Sequence, residues 1–152
     1  MRLLGIDYGA VRIGLAVSDV TGTLARPLRT IVVRGSPETQ ANVLGIEIAK
    51  IETQFESLGA LVVGLPASLE GGPHAETDRV LAFVEALRAL TSLPIALQDE
   101  RLSSIEAEQR LAAREPNWRK RKSRLDAASA AVILQDYLDG TMNGKGVSSI
   151  DA

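Results

Sequence analysis

Apolar positions in the first part of the chain fall into three short runs, residues 3–6, 13–18 and 28–33, separated by turns that contain glycine. This spacing predicts three strands. They are expected to be antiparallel neighbours, because a parallel pair needs a crossover of about a dozen residues or more.

The period then changes. Ser36, Pro37 and Glu38 supply a capping hydroxyl, a proline suited to the first helical position and an acid for the first turn. Leu44, Ile48, Ile51, Phe55 and Leu58 follow at spacings of three and four, which marks one buried helical face, and Gly59 is expected to end that helix. The run "ALVVGLP" has no alternation and suits a strand covered on both faces. A polar, glycine-rich loop, "ASLEGGPHAE", leads to a second helix carrying Val80, Val84, Leu87 and Leu90.

Residues 94–97 predict another short strand, and "DERLSS" leads into a third helix in which Ser103 and Glu106 have capping-box spacing. Pro116 stops it, the basic segment "NWRKRKSR" follows, and a last helix is expected from near Ser123 to Gly140. Residues 141–152 are rich in Gly and Ser and are expected to form a flexible tail behind a single domain, residues 1–140.

The order strand, strand, strand, helix, strand, helix, strand, helix, helix predicts an α/β domain. Its five-stranded mixed sheet joins an antiparallel meander to parallel strands, with helices on both faces. This order matches the ribonuclease H-like fold, in which the first strand is central. Ligands in open α/β sheets gather at the carboxyl ends of strands where the strand order reverses. Asp7 lies at one such end.

Composition narrows the chemistry. The 152 residues contain no cysteine and one histidine, so disulfides, a cysteine nucleophile and a multi-histidine zinc centre are all excluded. The net charge of −2 means that any basic surface is local. No apolar run approaches the roughly 18 residues needed to span a bilayer, and no charged-then-apolar segment opens the chain. A cytoplasmic protein with no membrane contact is expected.

Cleaving a phosphodiester without histidine or cysteine is most readily done with divalent cations, which take oxygen ligands. Three acids stand at element ends where the topology brings them together: Asp7 after the first strand, Glu100 after the last, and Asp126 in the first turn of the last helix. Each also has a simpler role. Asp7 before Tyr-Gly suits a turn, and Asp126, three residues after Ser123, suits a helix start. Glu100 has Asp99 beside it, and period-two alternation does not choose between them.

Four segments, "GIDYGAVRIGLAVSD", "VVGLPASLEGG", "QDERLSS" and "RLDAASAAVILQDYLD", in this order, resemble the YqgF family. These Holliday-junction-resolvase-like proteins, also described as pre-16S ribosomal RNA nucleases, belong to the ribonuclease H-like superfamily. The resemblance implies an acidic triad of Asp7, Glu100 and Asp126, and so favours Glu100 over Asp99. It further implies Mg2+ or Mn2+ as cofactor and a role in maturing the 5′ end of 16S ribosomal RNA. Pre-rRNA is the implied substrate, with branched DNA as the alternative, and ribosomal particles are implied partners. A monomer and a homodimer are both compatible with the sequence.

One departure from the family pattern stands in the first turn. Ala10 and Val11 occupy positions where the family carries a threonine or similar residue and a lysine, which removes one phosphate contact and leaves Arg12 as the candidate. Arg101, beside Glu100, is a second. Trp118, Arg119, Lys120, Arg121, Lys122 and Arg124 form a basic patch with one aromatic, able to attract phosphates and stack on a base. His74 is expected to be a surface or capping residue, and Glu70 is an outlying fourth acid. Two rival classes remain open at this level: a nucleic-acid-binding module without catalysis, and a single-lobed relative of the sugar kinases.

Overall fold

The computed structural model describes residues 1–65, 75–99, 118–142 and 150–151, with side chains over residues 1–65, 77–98 and 127–140. Its central strand, β1 (Arg2–Tyr8), is flanked by β2 (Arg12–Ser18) and β4 (Leu58–Leu65). The meander continues from β2 to β3 (Ala25–Val32), an edge strand, and both pairings are antiparallel as the short connections require. Beyond β4 comes β5 (Ile95–Asp99), parallel to it, as β4 is to β1. Two residues of the C-terminal segment, Ile150–Asp151, add a short antiparallel edge strand, β6, on β5.

Helices α1 (Pro37–Gln54) and α2 (Ala75–Arg88) cover one face of the sheet. The other face is covered by α3 (Trp118–Met142). Alternation along β1 sorts its side chains accordingly: Leu4, Ile6 and Tyr8 join the α1/α2 core, while Leu3 joins the α3 core. In β4, Leu61 and Val63 face one helical layer and Ala60 and Val62 the other, as its unbroken apolar run requires.

The start of α1 follows its sequence closely. The Ser36 hydroxyl accepts from the Thr39 amide at 3.1 Å with Pro37 in the first turn, a cap worth about 1 kcal/mol. Its end comes earlier than the apolar spacing suggests. Phe55 is the C-cap, and Leu58 and Gly59 already belong to β4. Gly59 is therefore a strand glycine, and a Cβ there would run into the Met1 side chain. Similarly α2 stops at Arg88, so Leu90 lies outside it and is 47% exposed; Phe83 instead joins Val80, Val84 and Leu87 in the core.

The largest difference is at α3. It begins at Trp118 rather than near Ser123, so residues 118–124 form its first two turns. Arg and Lys are good helix formers, a signal the Ser123 capping spacing obscured. Asp126 is consequently in the third turn, too far along to serve as a cap or to interact strongly with the dipole. The helix predicted over the segment after "DERLSS" lies outside the described residues.

Candidate active site

The two strands that carry Asp7 and Asp99 run parallel through β4, so their carboxyl ends open on the same edge of the sheet. Asp7 is half-buried, and its position is set by the ladder: it pairs with Gly14 on β2, and its neighbour Ile6 pairs with Val63 on β4. It follows Leu3 and Gly5 in alternation and so stands on the face covered by α3.

Contacts along α3 fix its direction. Gln135 donates to the Thr23 carbonyl at 3.0 Å and accepts from the Ala25 amide at 2.9 Å, beside the β2–β3 turn. That turn adjoins the start of β1, since the Met1 ammonium donates to the Val20 carbonyl at 2.8 Å. Nearer the middle of β1, a Cβ on Gly5 would lie 2.8 Å from Leu134 Cβ and 3.0 Å from the Ala130 carbonyl oxygen. The helix therefore runs antiparallel to β1. One helical turn from Ala130 back to position 126 covers about 6 Å, and two strand residues from Gly5 to Asp7 cover about 6.6 Å. Positions 7 and 126 are thus at the same end of the β1–α3 contact, and the glycine lets the helix come that close.

Strand β5 contributes its last residue to the same edge. Ile95 and Leu97 pack toward α1 and α2 and Ala96 toward α3. Continuing that alternation gives position 99 to the α1/α2 side, away from the face on which Asp7 stands. Glu100, Arg101, Glu70 and His74 lie outside the described residues, as do the side chains of Trp118, Arg119, Lys120, Arg121, Lys122, Arg124 and Asp126. Among the described residues no group of three or more acids or histidines is clustered for a metal. Likewise no described helix is long and apolar enough to cross a membrane.

Arg12 is exposed at the start of β2. Ile13 belongs to the α1/α2 core and Ala16 to the α3 core, so Arg12 falls with Gly14 and Ala16 on the face that carries Asp7. The connecting turn is tight: a Cβ on Gly9 would come 2.5 Å from the Arg12 carbonyl oxygen. That close approach accounts for Gly9.

Beneath this turn is a polar group that sequence patterning did not single out. Gln40, in the first turns of α1, is fully buried. Its Nε2 donates to the carbonyls of Gly9 (3.1 Å), Ala10 (3.0 Å) and Val33 (3.0 Å). Its Oε1 accepts from the Tyr8 hydroxyl and, at 3.1 Å, from Arg79 of α2. Arg79 also donates to the Tyr8 hydroxyl (3.2 Å) and the Gly35 carbonyl (3.1 Å), and the Tyr8 ring packs on Phe83 with centroids 4.4 Å apart.

The second acid of the first motif, Asp19, has a local explanation. Its carboxylate accepts from the Thr21 hydroxyl and from the amides of Thr23 (2.8 Å) and Leu24 (3.1 Å), in a turn where Gly22 takes φ +70°. These bonds, led by that from Thr21, lower its pKa from 3.8 to about 2. Asp19 closes the β2–β3 turn at the opposite end of the sheet from Asp7.

A mixed sheet with a central antiparallel-parallel junction, covered by helices on both faces and bearing an acid at the end of its first strand, is the ribonuclease H-like architecture. The structure is similar to Thermus thermophilus RuvC solved in complex with a Holliday junction substrate, with a TM-score of 0.61 over 98% of this chain and 99% of that one. At 16% identity this likeness shows the fold. Residues 1–140 match the family model "RuvX: Holliday junction resolvase", and the chain belongs to that family, the one its four sequence motifs resemble. A protein of Anaeromyxobacter dehalogenans named "Putative pre-16S rRNA nuclease" is 46% identical over 141 residues, 91% of this chain and 97% of its own length. Proteins of the same name from Protochlamydia amoebophila and Thermoanaerobacter pseudethanolicus are 40% and 39% identical, over 93% and 99% of their lengths.

Proposed function

We propose that this chain is a divalent-metal-dependent nuclease that hydrolyses phosphodiester bonds in structured RNA, with the 5′-extended precursor of 16S ribosomal RNA as its substrate. The observation that carries the reading is the close packing of α3 on Gly5, which leaves positions 7 and 126 at one end of the same contact. An acid in the third turn of a helix has no capping role there, and two acids converging at a strand end would repel one another without a cation. Asp7, Glu100 and Asp126 are the proposed ligands of Mg2+ or Mn2+.

The donor set fits such an ion: the chain has no thiolates, one imidazole and acids at the strand ends, which suits a hard cation with oxygen ligands. When bound, the metal would supply water activation and stabilisation of the leaving oxygen. The protein's own part is to hold the carboxylates on a rigid strand and to orient the polyanion. Arg12 reaches out on the Asp7 face, and Arg101 is assigned the same work. Five cations in the first seven residues of α3, Arg119, Lys120, Arg121, Lys122 and Arg124, oppose the helix dipole, an arrangement that a phosphate backbone beside them would relieve. Trp118 is the candidate for stacking on a base. The catalytic unit is residues 1–140; Ile150–Asp151, expected to belong to a flexible tail, instead pair with β5, and the protein acts in the cytoplasm on precursor ribosomal particles.

A second reading, cleavage of branched DNA, is favoured by the family model's own description. Both are tested by one experiment: wild type and Asp7→Asn are given a labelled 5′-extended 16S precursor and a labelled four-way DNA junction, with Mn2+ or with chelator. Metal-dependent cutting of the RNA that is lost in Asp7→Asn is the expected result. Cutting of the junction alone would establish the second reading, and binding of both without cutting either would overturn the nuclease proposal.

A further inference from the structure

We infer that Gln40 is a positioning residue: together with Tyr8 and Arg79 it clamps the β1–β2 turn and thereby sets the place of Arg12, the residue assigned to a substrate phosphate. The inference rests on the nuclic-acid-binding part of the proposed function and extends it to residues with no exposed chemistry of their own.

A glutamine side chain with no solvent exposure in an apolar core is costly unless its amide is fully used. Gln40 uses both ends. Three backbone carbonyls surround Nε2, and two donors, the Tyr8 hydroxyl and the Arg79 guanidinium, surround Oε1. This set also fixes the amide's orientation, because the flipped form would point Oε1 at three carbonyl oxygens. A single side chain therefore ties together the end of β1, Gly9 and Ala10 of the turn, Val33 just after β3 and the start of α1. Arg79 adds α2 through Tyr8 and Gly35.

Transmission to Arg12 is short. Gly9 and the Arg12 carbonyl approach so closely that no Cβ fits between them, and the Val33 amide donates to the Val11 carbonyl at 2.8 Å. Asp7 is paired with Gly14 in the central strand of the sheet, whereas Arg12 is the first residue of β2, next to the turn, and pairs with Val32 of the edge strand β3. Removing the Gln40 amide therefore loosens the turn and Arg12 while the backbone ladder keeps the Asp7 strand in place. With Ala10 and Val11 beside it, Arg12 is the turn's one cation, so its placement bears directly on affinity.

The test is a double-mutant cycle read in binding, which separates it from the fate of the catalytic proposal. Kd for a fluorescein-labelled 5′-extended 16S precursor fragment is measured by anisotropy in chelator, at several salt concentrations, for wild type, Gln40→Leu, Arg12→Ala and the pair. Expected for each single variant is about tenfold weaker binding and a salt slope lower by about 0.7–0.9, the scale of one lost phosphate contact. The pair is expected to bind no more weakly than Arg12→Ala alone, because both act through one contact. Amide hydrogen exchange over residues 9–12 should quicken in Gln40→Leu while residues 4–7 stay protected.

Independent, additive losses in the cycle, or unchanged exchange at residues 9–12, would overturn the inference, as would a wild type that does not bind the RNA. Binding that follows the cycle with no cleavage under any metal would leave the clamp standing and remove the nuclease reading instead. Should Gln40→Leu fail to fold, Arg79→Lys, which keeps the charge and loses the planar fork, is expected to shift Kd in the same direction by about threefold.

Discussion

Gly5 and Leu134 stand so close that a Cβ on the glycine would lie 2.8 Å from the leucine Cβ. This contact sets the distance between the strand that carries Asp7 and the helix that carries Asp126. Gly5→Ala must push α3 outward, and overpacking of this kind costs about 2 kcal/mol. The urea midpoint should fall with the slope unchanged. Cleavage at a temperature where the variant is fully folded should fall further than in Ile48→Val, a destabilised control in the opposite core whose cost is about 1 kcal/mol.

Gathering carboxylates without a cation is repulsive. Mn2+ should therefore raise the melting temperature of the wild type and leave that of Asp7→Asn unmoved. A wild-type transition indifferent to Mn2+ would count against the carboxylate site. Calorimetry with and without the ion reads both.

Arg12 is exposed on the Asp7 face, and the contribution proposed for it is a screened, long-range attraction to phosphates. Arg12→Ala should weaken RNA binding at low salt and converge with the wild type as salt rises, with the slope of log K against log salt reduced by about 0.7–0.9. Titrations between low and physiological ionic strength measure this directly.

Asp19 gives an acid limb to stability that has nothing to do with the site. Its folded pKa of about 2 lies below the ordinary 3.8, so its contribution is fully present above pH 4 and is lost as the pH falls toward 2. Asp19→Asn removes the titrating group while keeping an acceptor. Denaturation midpoints should then fall less steeply between pH 4 and pH 2 in the variant than in the wild type, and a parallel pair of curves would refute the assignment.

Much of the fold was legible because its signals are local. The three-strand meander follows from connections too short for crossovers. The first helix starts where Ser36 and Pro37 place it, and β4, apolar throughout, is covered on both faces. The failures share a cause. Phe55 and Leu58 fit the helical spacing, yet the helix ends at Gln54 and Leu58 enters a strand, because pairing with β1 outweighs periodicity. Ser123 has a cap's spacing to Asp126, yet α3 starts five residues earlier.

Sequence alone determined the antiparallel meander, the parallel strands that follow it, and Asp7 as an acid leaving the first strand. Residue type, spacing and loop length carry that information, and each acts over a few positions. Only the tertiary structure decided that Asp19 is bound within a turn at the far end of the sheet from Asp7, and that a glutamine within "PETQANVL" is buried at the centre of five hydrogen-bond partners. The partners of Gln40 come from β1, the turn after it, the end of β3 and α2, and a side chain whose worth depends on acceptors about 30 residues away leaves no local pattern.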